Sequence, residues 1–204
     1  MKKLIKDALI LFAITLVAGA ALGAVYAITE QPIADAQLAA RAAAYTEIFP
    51  DAADFATDDT LTNALENADA LLKGAGFDTV SVSDALYATD AAGARIGCVM
   101  TLSGKGYGGA IQLTLGVTAQ NTVSGISILS QSETAGLGAK CTEESFYGQF
   151  TGKTATTLTV VKTGAAGDTE IDAISGATVT SKGITAAVNA GIWFAQNPMG
   201  GAGA

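Results

Sequence analysis

The sequence contains no histidine, and this absence removes several classes of protein. Catalysis by serine–histidine or cysteine–histidine pairs, histidine-ligated metal sites and haem held by histidine are all excluded. The only cysteines, Cys98 and Cys141, are too far apart in sequence to form a CxxC redox pair or to hold an iron–sulfur cluster unaided. Any redox chemistry of this chain must therefore come from a bound organic cofactor.

Basic residues are also scarce, because 11 lysines and arginines stand against 19 acidic residues, for a formal net charge of −8. Without a basic stripe the chain is not expected to bind nucleic acid. The acidic run at residues 51–59 fits no calcium loop, so it predicts a solvated loop and no metal site. Cys98 lies in an apolar run and is predicted to be a core residue; a disulfide to Cys141 stays open as an alternative outside the cytoplasm.

A long uncharged segment near the amino terminus predicts a membrane anchor. Ala8–Ile28 contains no charged residue, and as a helix it would span about 31 Å, close to the ~30 Å thickness of the hydrocarbon layer. Three lysines lie at residues 2–6, and the next basic residue is Arg41, so the amino terminus is expected in the cytoplasm. Residues 1–29 therefore predict a single-pass anchor in the plasma membrane, and a cleaved signal peptide is the alternative. Under both interpretations, the rest of the chain is exported from the cytoplasm.

The exported part reads as two helices, several strands and a last helix. Helical patterns cover residues 30–48 and 61–72, and a final helix is predicted at about 182–196 with Ser181 as its N-cap. The predicted strands are residues 79–82, 86–88, 95–102, 110–118, 123–129 and 157–162. Because these strands do not alternate with long helices, we predict an antiparallel sheet with packed helices, the α+β class.

The predicted organisation of the exported part is a helical connector at residues 30–75, a sheet domain at residues 76–198 and a flexible tail at residues 199–204.

A hydroxyl-rich turn precedes the last predicted helix. Residues 170–185 read EIDAISGATVTSKGIT, and small residues stand next to the hydroxyl side chains. A helix amino terminus offers free backbone N–H groups and partial positive charge, which suits a phosphate. The same residues are also typical of ordinary helix capping, and the Walker pattern GxxxxGK[ST] does not occur.

Within this turn, Asp172–Thr178 (DAISGAT) resembles the flavinylation motif of the FMN-binding domain in the G subunit of the Rnf complex. The C subunit of the sodium-translocating NADH:quinone reductase is a related family. Residues 104–109 (GKGYGG) and 45–50 (YTEIFP) resemble further stretches of the family. Residues 133–138 (ETAGLG) resemble its ETPGLG stretch, with alanine in place of proline. Together with the anchor, these segments cover nearly the whole chain in the family's order.

The resemblance implies covalently bound FMN, joined through a phosphoester to Thr178 by a separate FAD-dependent flavin transferase. Asp172 and Ser175 match the acidic and hydroxyl positions of the motif, and the backbone of Thr180–Lys182 is expected to stabilise the phosphodiester. Tyr107 is expected either against the flavin or in the core. The other cofactor-binding residues implied are Gly108, Gly109, Glu133, Thr134, Leu137, Gly176 and Ala177.

The function implied by the resemblance is that of an electron carrier within an Rnf-type ion-translocating oxidoreductase. The chain would act with other membrane and redox subunits in the bilayer, with no catalytic residues and no independent activity. The alternatives are the C subunit of the quinone-reducing pump, a stand-alone extracytoplasmic FMN-linked reductase, and a non-enzymatic binding module in which SGAT is only a capped turn.

Overall fold

The computed structural model describes residues 2–164 and 167–199. The predicted flexible tail at residues 199–204 lies outside these residues except for Met199, which is buried. The chain divides into two compact units between Ala40 and Arg41, whereas the sequence predicts boundaries after residues 29 and 75. Each unit is described in turn.

The first unit is formed by helix α1 (Lys2–Ile48) up to Ala40. Its apolar side chains are exposed, including Leu9, Leu16 and Leu22. Within the described part of the chain, α1 is the one helix that is long and apolar enough to cross a membrane by length and composition. The helix predicted at residues 30–48 is confirmed as the last part of α1.

The second unit is built on a five-stranded antiparallel sheet whose strands pair in chain order. The strands are β1 (Asp54–Ala56), β2 (Ser81–Thr89), β3 (Arg95–Lys105), β4 (Ala110–Thr118) and β5 (Val123–Ser130). Helices α2 (Asp59–Glu66) and α3 (Ala68–Gly74) connect β1 to β2. Short turns join β2 through β5, as antiparallel neighbours allow. The predicted α+β class is therefore confirmed.

Both faces of this sheet are buried. Met100 of β3 faces the main core, which includes the long helix α5 (Thr178–Gln196). Val99 faces the opposite side, where it packs with Tyr45 and Phe49 from the chain around the end of α1. Because side chains alternate along a strand, burial on both faces explains the apolar run at residues 96–100 of β3.

Glycines allow α5 to lie directly on β3. A Cβ atom at Gly183 would collide with the carbonyl oxygen of Lys105, and one at Gly104 would lie 2.9 Å from the Cβ of Ala187. The helix and strand backbones therefore touch without intervening side chains. This contact brings the first turns of α5 beside the GKGYGG loop.

The segment between β5 and α5 contains short elements. Two 3₁₀ helices at Gly138–Thr142 and Gly148–Phe150 flank the single-turn helix α4 (Glu144–Tyr147). Strands β6 (Thr159–Val161) and β7 (Glu170–Asp172) form a separate parallel pair. Strand β7 ends at Asp172, where the DAISGAT segment begins, and the sequence did not predict it.

Two predicted elements differ from those observed. The helix predicted at residues 61–72 is two helices that meet at Asn67, whose side-chain amide donates to the carbonyl of Asn63 at 2.9 Å. Asparagine side chains compete in this way for backbone groups and end helices. The strands predicted at 79–82 and 86–88 are one strand, β2, because an irregularity in register between Val82 and Asp84 lets pairing continue.

The two cysteines and the acidic run have structural roles. Cys98 and Cys141 are free, buried thiols, so the alternative disulfide is not formed. Burial raises the pKa of Cys98 to about 12. In the acidic run, the Asp58 carboxylate accepts the Leu61 amide at 2.8 Å and pairs with Arg95 at 2.7 Å. Asp58 therefore caps α2, and the described residues contain no cluster of metal-ligating side chains.

Candidate functional site

Three motif segments that are distant in sequence meet at one cleft of about 460 Å³. One wall is the loop between β3 and β4, a second is the segment after β5, and the third is the amino-terminal end of α5. The volume lies within the range of about 300–1,000 Å³ that is usual for small-molecule sites. The lining residues are Tyr107, Glu133, Thr134, Leu137, Gly138, Gly176, Ala177, Thr178, Val179 and Thr180.

The carboxylate of Glu133 links two of these walls. Its Oε1 accepts the amide N–H of Gly108 at 2.8 Å, and its Oε2 accepts the hydroxyl of Thr180 at 2.6 Å. The family resemblance implies that this side chain binds the cofactor directly. In the structure, each oxygen already has a partner within the protein, so Glu133 joins the glycine loop to the first turn of α5.

A tight turn presents Thr178 to the cleft. Gly176 has φ of +77°, a conformation that glycine adopts without steric cost, and a Cβ there would lie 3.1 Å from Leu137 Cδ2. The amide of Ala177 donates to the carbonyl of Ile174 at 2.9 Å and closes the turn. Thr178 is the first residue of α5, and its side chain is exposed.

The predicted N-cap at Ser181 is wrong, because α5 begins one turn earlier with Ala177 at the N-cap position. Ser181 is buried, its hydroxyl donates to the carbonyl of Ala177 at 3.1 Å, and its oxygen accepts the amide of Ile174 at 2.9 Å. It therefore braces the turn from inside the helix. The sequence does not reveal this start of the helix, because Ala177 has no capping side chain and the turn before it is closed by a backbone hydrogen bond.

The amino terminus of α5 suits an anion. Ala177 has no oxygen-bearing side chain, and α5 has no side-chain cap among the described residues. The first turn of a helix has backbone N–H groups without helical acceptors and carries a partial positive charge. The residues present therefore fit a phosphate beside the Thr178 hydroxyl.

The rim of the cleft is apolar and open. Tyr107, Val179 and Leu137 are 76%, 54% and 44% exposed, and they come from the three different walls. Tyr107 thus lies at the cleft and not in the core, the two positions that the sequence left open. Such a rim fits one face of a flat aromatic group while leaving its edge accessible.

Four of the predicted cofactor-binding residues do not line this cleft. Asp172 and Ser175 line a neighbouring cleft of about 530 Å³, where the backbone amide of Asp172 donates to Gln149 Oε1 at 2.8 Å. Gly108 and Gly109 lie in the loop behind Tyr107; a Cβ at Gly108 would collide with the carbonyl oxygen of Ser132. The DAISGAT segment therefore contributes to two separate surfaces.

Two lining residues, Gly138 and Val179, are absent from the predicted set. Gly138 ends the ETAGLG stretch, and a Cβ there would lie 2.5 Å from Glu133 Oε2 and 2.7 Å from Thr180 Oγ1. Its place in a glycine-rich stretch was the signal that could have found it. Val179 directly follows the attachment motif, and its side chain is exposed. Its position next to Thr178 is the sequence feature that could have identified it.

Fold and site together define an FMN-binding domain that follows a membrane-type helix. The FMN-binding domain family matches residues 106–192, and the RnfG N-terminal region family matches residues 1–48. The G subunit of the Na⁺-translocating ferredoxin:NAD⁺ oxidoreductase complex of Acetobacterium woodii is 34% identical over 199 residues, which cover 96% of this chain and 93% of that protein. The chain belongs to the RnfG family, the G subunits of Rnf ion-translocating oxidoreductase complexes.

The related quinone-reductase subunits match a smaller part of the chain. The C subunit of the Na⁺-translocating NADH-quinone reductase of Haemophilus ducreyi is 40% identical over 88 residues, only 39% of this chain and 33% of that protein. The solved structure of the corresponding protein from Parabacteroides distasonis has 29% identity and a TM-score of 0.45, covering 60% of this chain and 66% of its own. The extent of the sequence match confirms the RnfG family over the alternative quinone-reductase family.

Proposed function

We propose that Thr178 carries FMN through a phosphoester and that the chain relays electrons inside an Rnf-type ion-translocating oxidoreductase. The observation that carries this proposal is the exposed Thr178 hydroxyl at the uncapped start of α5, within the cleft that the three motif segments build. Bound FMN would supply the one- and two-electron transfer that this role requires.

Each group of residues that lines the cleft has a separate role in this proposal. The backbone N–H groups of the first turn of α5, from Thr178 to Thr180, would hold the phosphate. Tyr107, Leu137 and Val179 line the cleft and would contact the apolar face of a bound ring, and the Thr134 hydroxyl would be available for its polar edge. Since the rim is largely exposed, the ring edge remains open to a partner.

Attachment requires an incoming activated flavin. The Thr178 hydroxyl oxygen attacks the flavin-side phosphorus of FAD, the pyrophosphate P–O bond breaks, and adenosine monophosphate leaves while a base of the transferase takes the hydroxyl proton. The product keeps one negative charge, which the amino terminus of α5 stabilises. Asp172 and Ser175 lie in the neighbouring cleft, and we assign them to recognition by the transferase.

In the complex, the chain passes electrons between neighbouring redox subunits. The relative from Acetobacterium woodii is named as part of a ferredoxin:NAD⁺ oxidoreductase that translocates Na⁺, and we extend the same class of reaction to this chain. The one membrane-type helix of the described residues cannot enclose an ion path, so other subunits supply it. The lysines before Ala8 favour an amino terminus in the cytoplasm and a flavin domain outside.

In-gel fluorescence after denaturation tests the attachment. The full chain is co-expressed with a flavin transferase, denatured and run on a gel under ultraviolet light. We expect a fluorescent band from the parent chain and from Thr178→Ser, and at least a tenfold loss of the band from Thr178→Ala, which has no hydroxyl to esterify.

A matched control is Thr142→Ala, since Thr142 is also exposed but bonds only the carbonyl of Ala139, outside the cleft. Its band should equal that of the parent. Equal bands from Thr178→Ala and the parent, or no band from the parent, would refute covalent attachment at Thr178. Intact-mass measurement distinguishes covalent flavin from tightly bound flavin.

A further inference from the structure

We propose that Glu133 is a positioning residue for the flavin, holding the glycine loop against α5 and keeping a fixed negative charge at the cleft wall that lowers the flavin's reduction potential. The proposal rests on the proposed function, because it concerns FMN attached at Thr178. It assigns to Glu133 a task other than direct bonding to the flavin edge.

The first support is the bonding of the carboxylate. The two oxygens of Glu133 accept from the Gly108 amide at 2.8 Å and from the Thr180 hydroxyl at 2.6 Å. Its own amide donates to Gln131 Oε1 at 2.6 Å, which fixes the backbone at the same point. The side chain is thus held at both ends and cannot turn toward solvent without breaking both links.

The second support is the space around the carboxylate. A Cβ at Gly106 would collide with Glu133 Oε1, and one at Gly138 would lie 2.5 Å from Oε2. Two glycines on opposite sides therefore leave room for the carboxylate and for nothing larger. Gly106 of GKGYGG and Gly138 of ETAGLG, which are more than twenty residues apart in sequence, both make room for this carboxylate.

The third support is that the charge is not neutralised by a cation. Both hydrogen-bond donors, Gly108 and Thr180, are uncharged groups. The ion pairs Arg41–Asp84 and Arg95–Asp58 do not include Glu133. Its field reaches neighbouring groups, since burial first and the Glu133 charge second raise the pKa of the Cys141 thiol.

A negative charge that cannot move away disfavours the addition of electrons to a nearby ring, since like charges repel more strongly where water is partly excluded. Because Glu133 lines the same cleft as Thr178, its charge acts on whatever the cleft holds. The side chain thus combines two effects, alignment of the walls and a lower reduction potential.

The test is a spectroelectrochemical titration of the flavinylated full chain. Glu133→Gln keeps the size of the side chain and removes its charge, so we expect a reduction potential clearly more positive than that of the parent. Glu144→Gln is the matched control, because it makes the same change in net charge at an exposed residue of α4 outside the cleft. Its potential should equal the parent's.

Identical potentials for Glu133→Gln and Glu144→Gln would overturn the electrostatic part. A parent chain that carries no covalent flavin would instead refute the proposed function, so the two failures are distinguishable. The titration reads the charge directly and does not depend on turnover by the complex.

A second measurement tests the alignment even if Glu133→Gln does not fold. Thr180→Val removes one of the two donors while leaving the charge in place. We expect amide hydrogen exchange in residues 104–109 to become about tenfold faster, since a hydrogen bond to a charged group is lost and Glu133 is freed. Exchange at residues 95–99 serves as the internal reference. An unchanged rate at residues 104–109 would overturn the positioning role.

Discussion

Gly183 lies where the backbone of α5 meets a carbonyl of β3, and the absence of a side chain lets the two elements lie in direct contact. The carbonyl oxygen of Lys105 occupies the place where a Cβ would project. Any side chain at this position must push α5 away from β3. Since Thr178 and Thr180 are on the same helix, the shift would also open the cleft and stretch the Glu133–Thr180 link.

We therefore expect Gly183→Ala to lower the free energy of unfolding by about 1–3 kcal/mol, the usual cost of overpacking against a rigid neighbour. Gly74→Ala is the matched control, because a Cβ there meets nothing within 4 Å. That change should be neutral or stabilising by about 0.4–1 kcal/mol. Thermal unfolding of the detergent-solubilised chain measures both. Equal stability of the two variants would show that α5 adapts freely to the added methyl group.

At the scale of elements, the end of α1 is attached to the sheet by a polar contact inside an apolar layer. The phenol of Tyr45 donates to Asp84 Oδ2 at 2.8 Å and lies 3.0 Å from Thr101 Oγ1. Arg41 adds an ion pair to the same carboxylate at 3.4 Å. The YTEIFP stretch is thus a packing element on the sheet face opposite α5, and it does not line the flavin cleft.

Removal of the phenol should weaken this attachment in a pH-dependent manner. Tyr45→Phe leaves the groups on Asp84 and Thr101 short of a partner, so we expect a loss of roughly 1–3 kcal/mol at neutral pH. Burial raises the pKa of Tyr45, so the folded chain keeps the proton that the unfolded chain loses near pH 10. The stabilisation of the folded chain by the protonated Tyr45 phenol is therefore complete below about pH 10 and declines as the pH rises further.

Denaturant unfolding at neutral pH and at alkaline pH tests this prediction. The parent should lose more stability on going to alkaline pH than Tyr45→Phe does. Tyr107→Phe is the control, because it removes an exposed phenol. If the free energy of unfolding fell by the same amount in the parent and in Tyr45→Phe, the pH dependence could not be assigned to Tyr45.

At the scale of the whole molecule, function depends on which side of the membrane carries the flavin domain. The apolar part of α1 begins after a short lysine-rich stretch, and acidic residues outnumber basic ones in the chain as a whole. The positive-inside rule then predicts an exported domain. An exported domain cannot rely on cytoplasmic FMN to refill a vacant site, which is a physical reason to bond the flavin.

Protease protection tests this orientation. Protease added to intact spheroplasts should digest the flavin domain, whereas inside-out vesicles should protect it. Replacement of Lys3 and Lys6 by glutamate removes the charge bias and should reduce the digestible fraction at least severalfold; exchanging both for arginine, which keeps the charge, should leave it unchanged. Protection in spheroplasts and digestion in inside-out vesicles would reverse the predicted topology.

Much of the site could be predicted from local sequence, because glycines, hydroxyl side chains and a helix start have local causes. The uncharged run of α1, the alternation of β4 and the turn before α5 are examples. Other features required tertiary information. The β7 strand was missed because three residues carry too weak a pattern, and Ser181 was misplaced because the turn closes through Ala177.

The sequence by itself determined the membrane-type helix, the α+β class, the family and the candidate attachment residue, because each is encoded in a contiguous stretch or in the order of such stretches. Only the tertiary structure decided that Glu133 bonds Gly108 and Thr180, and that Asp172 and Thr178 face different clefts. The physical reason is that hydrogen bonds and close contacts between distant segments depend on how α5 lies on β3, a geometry that no local pattern records.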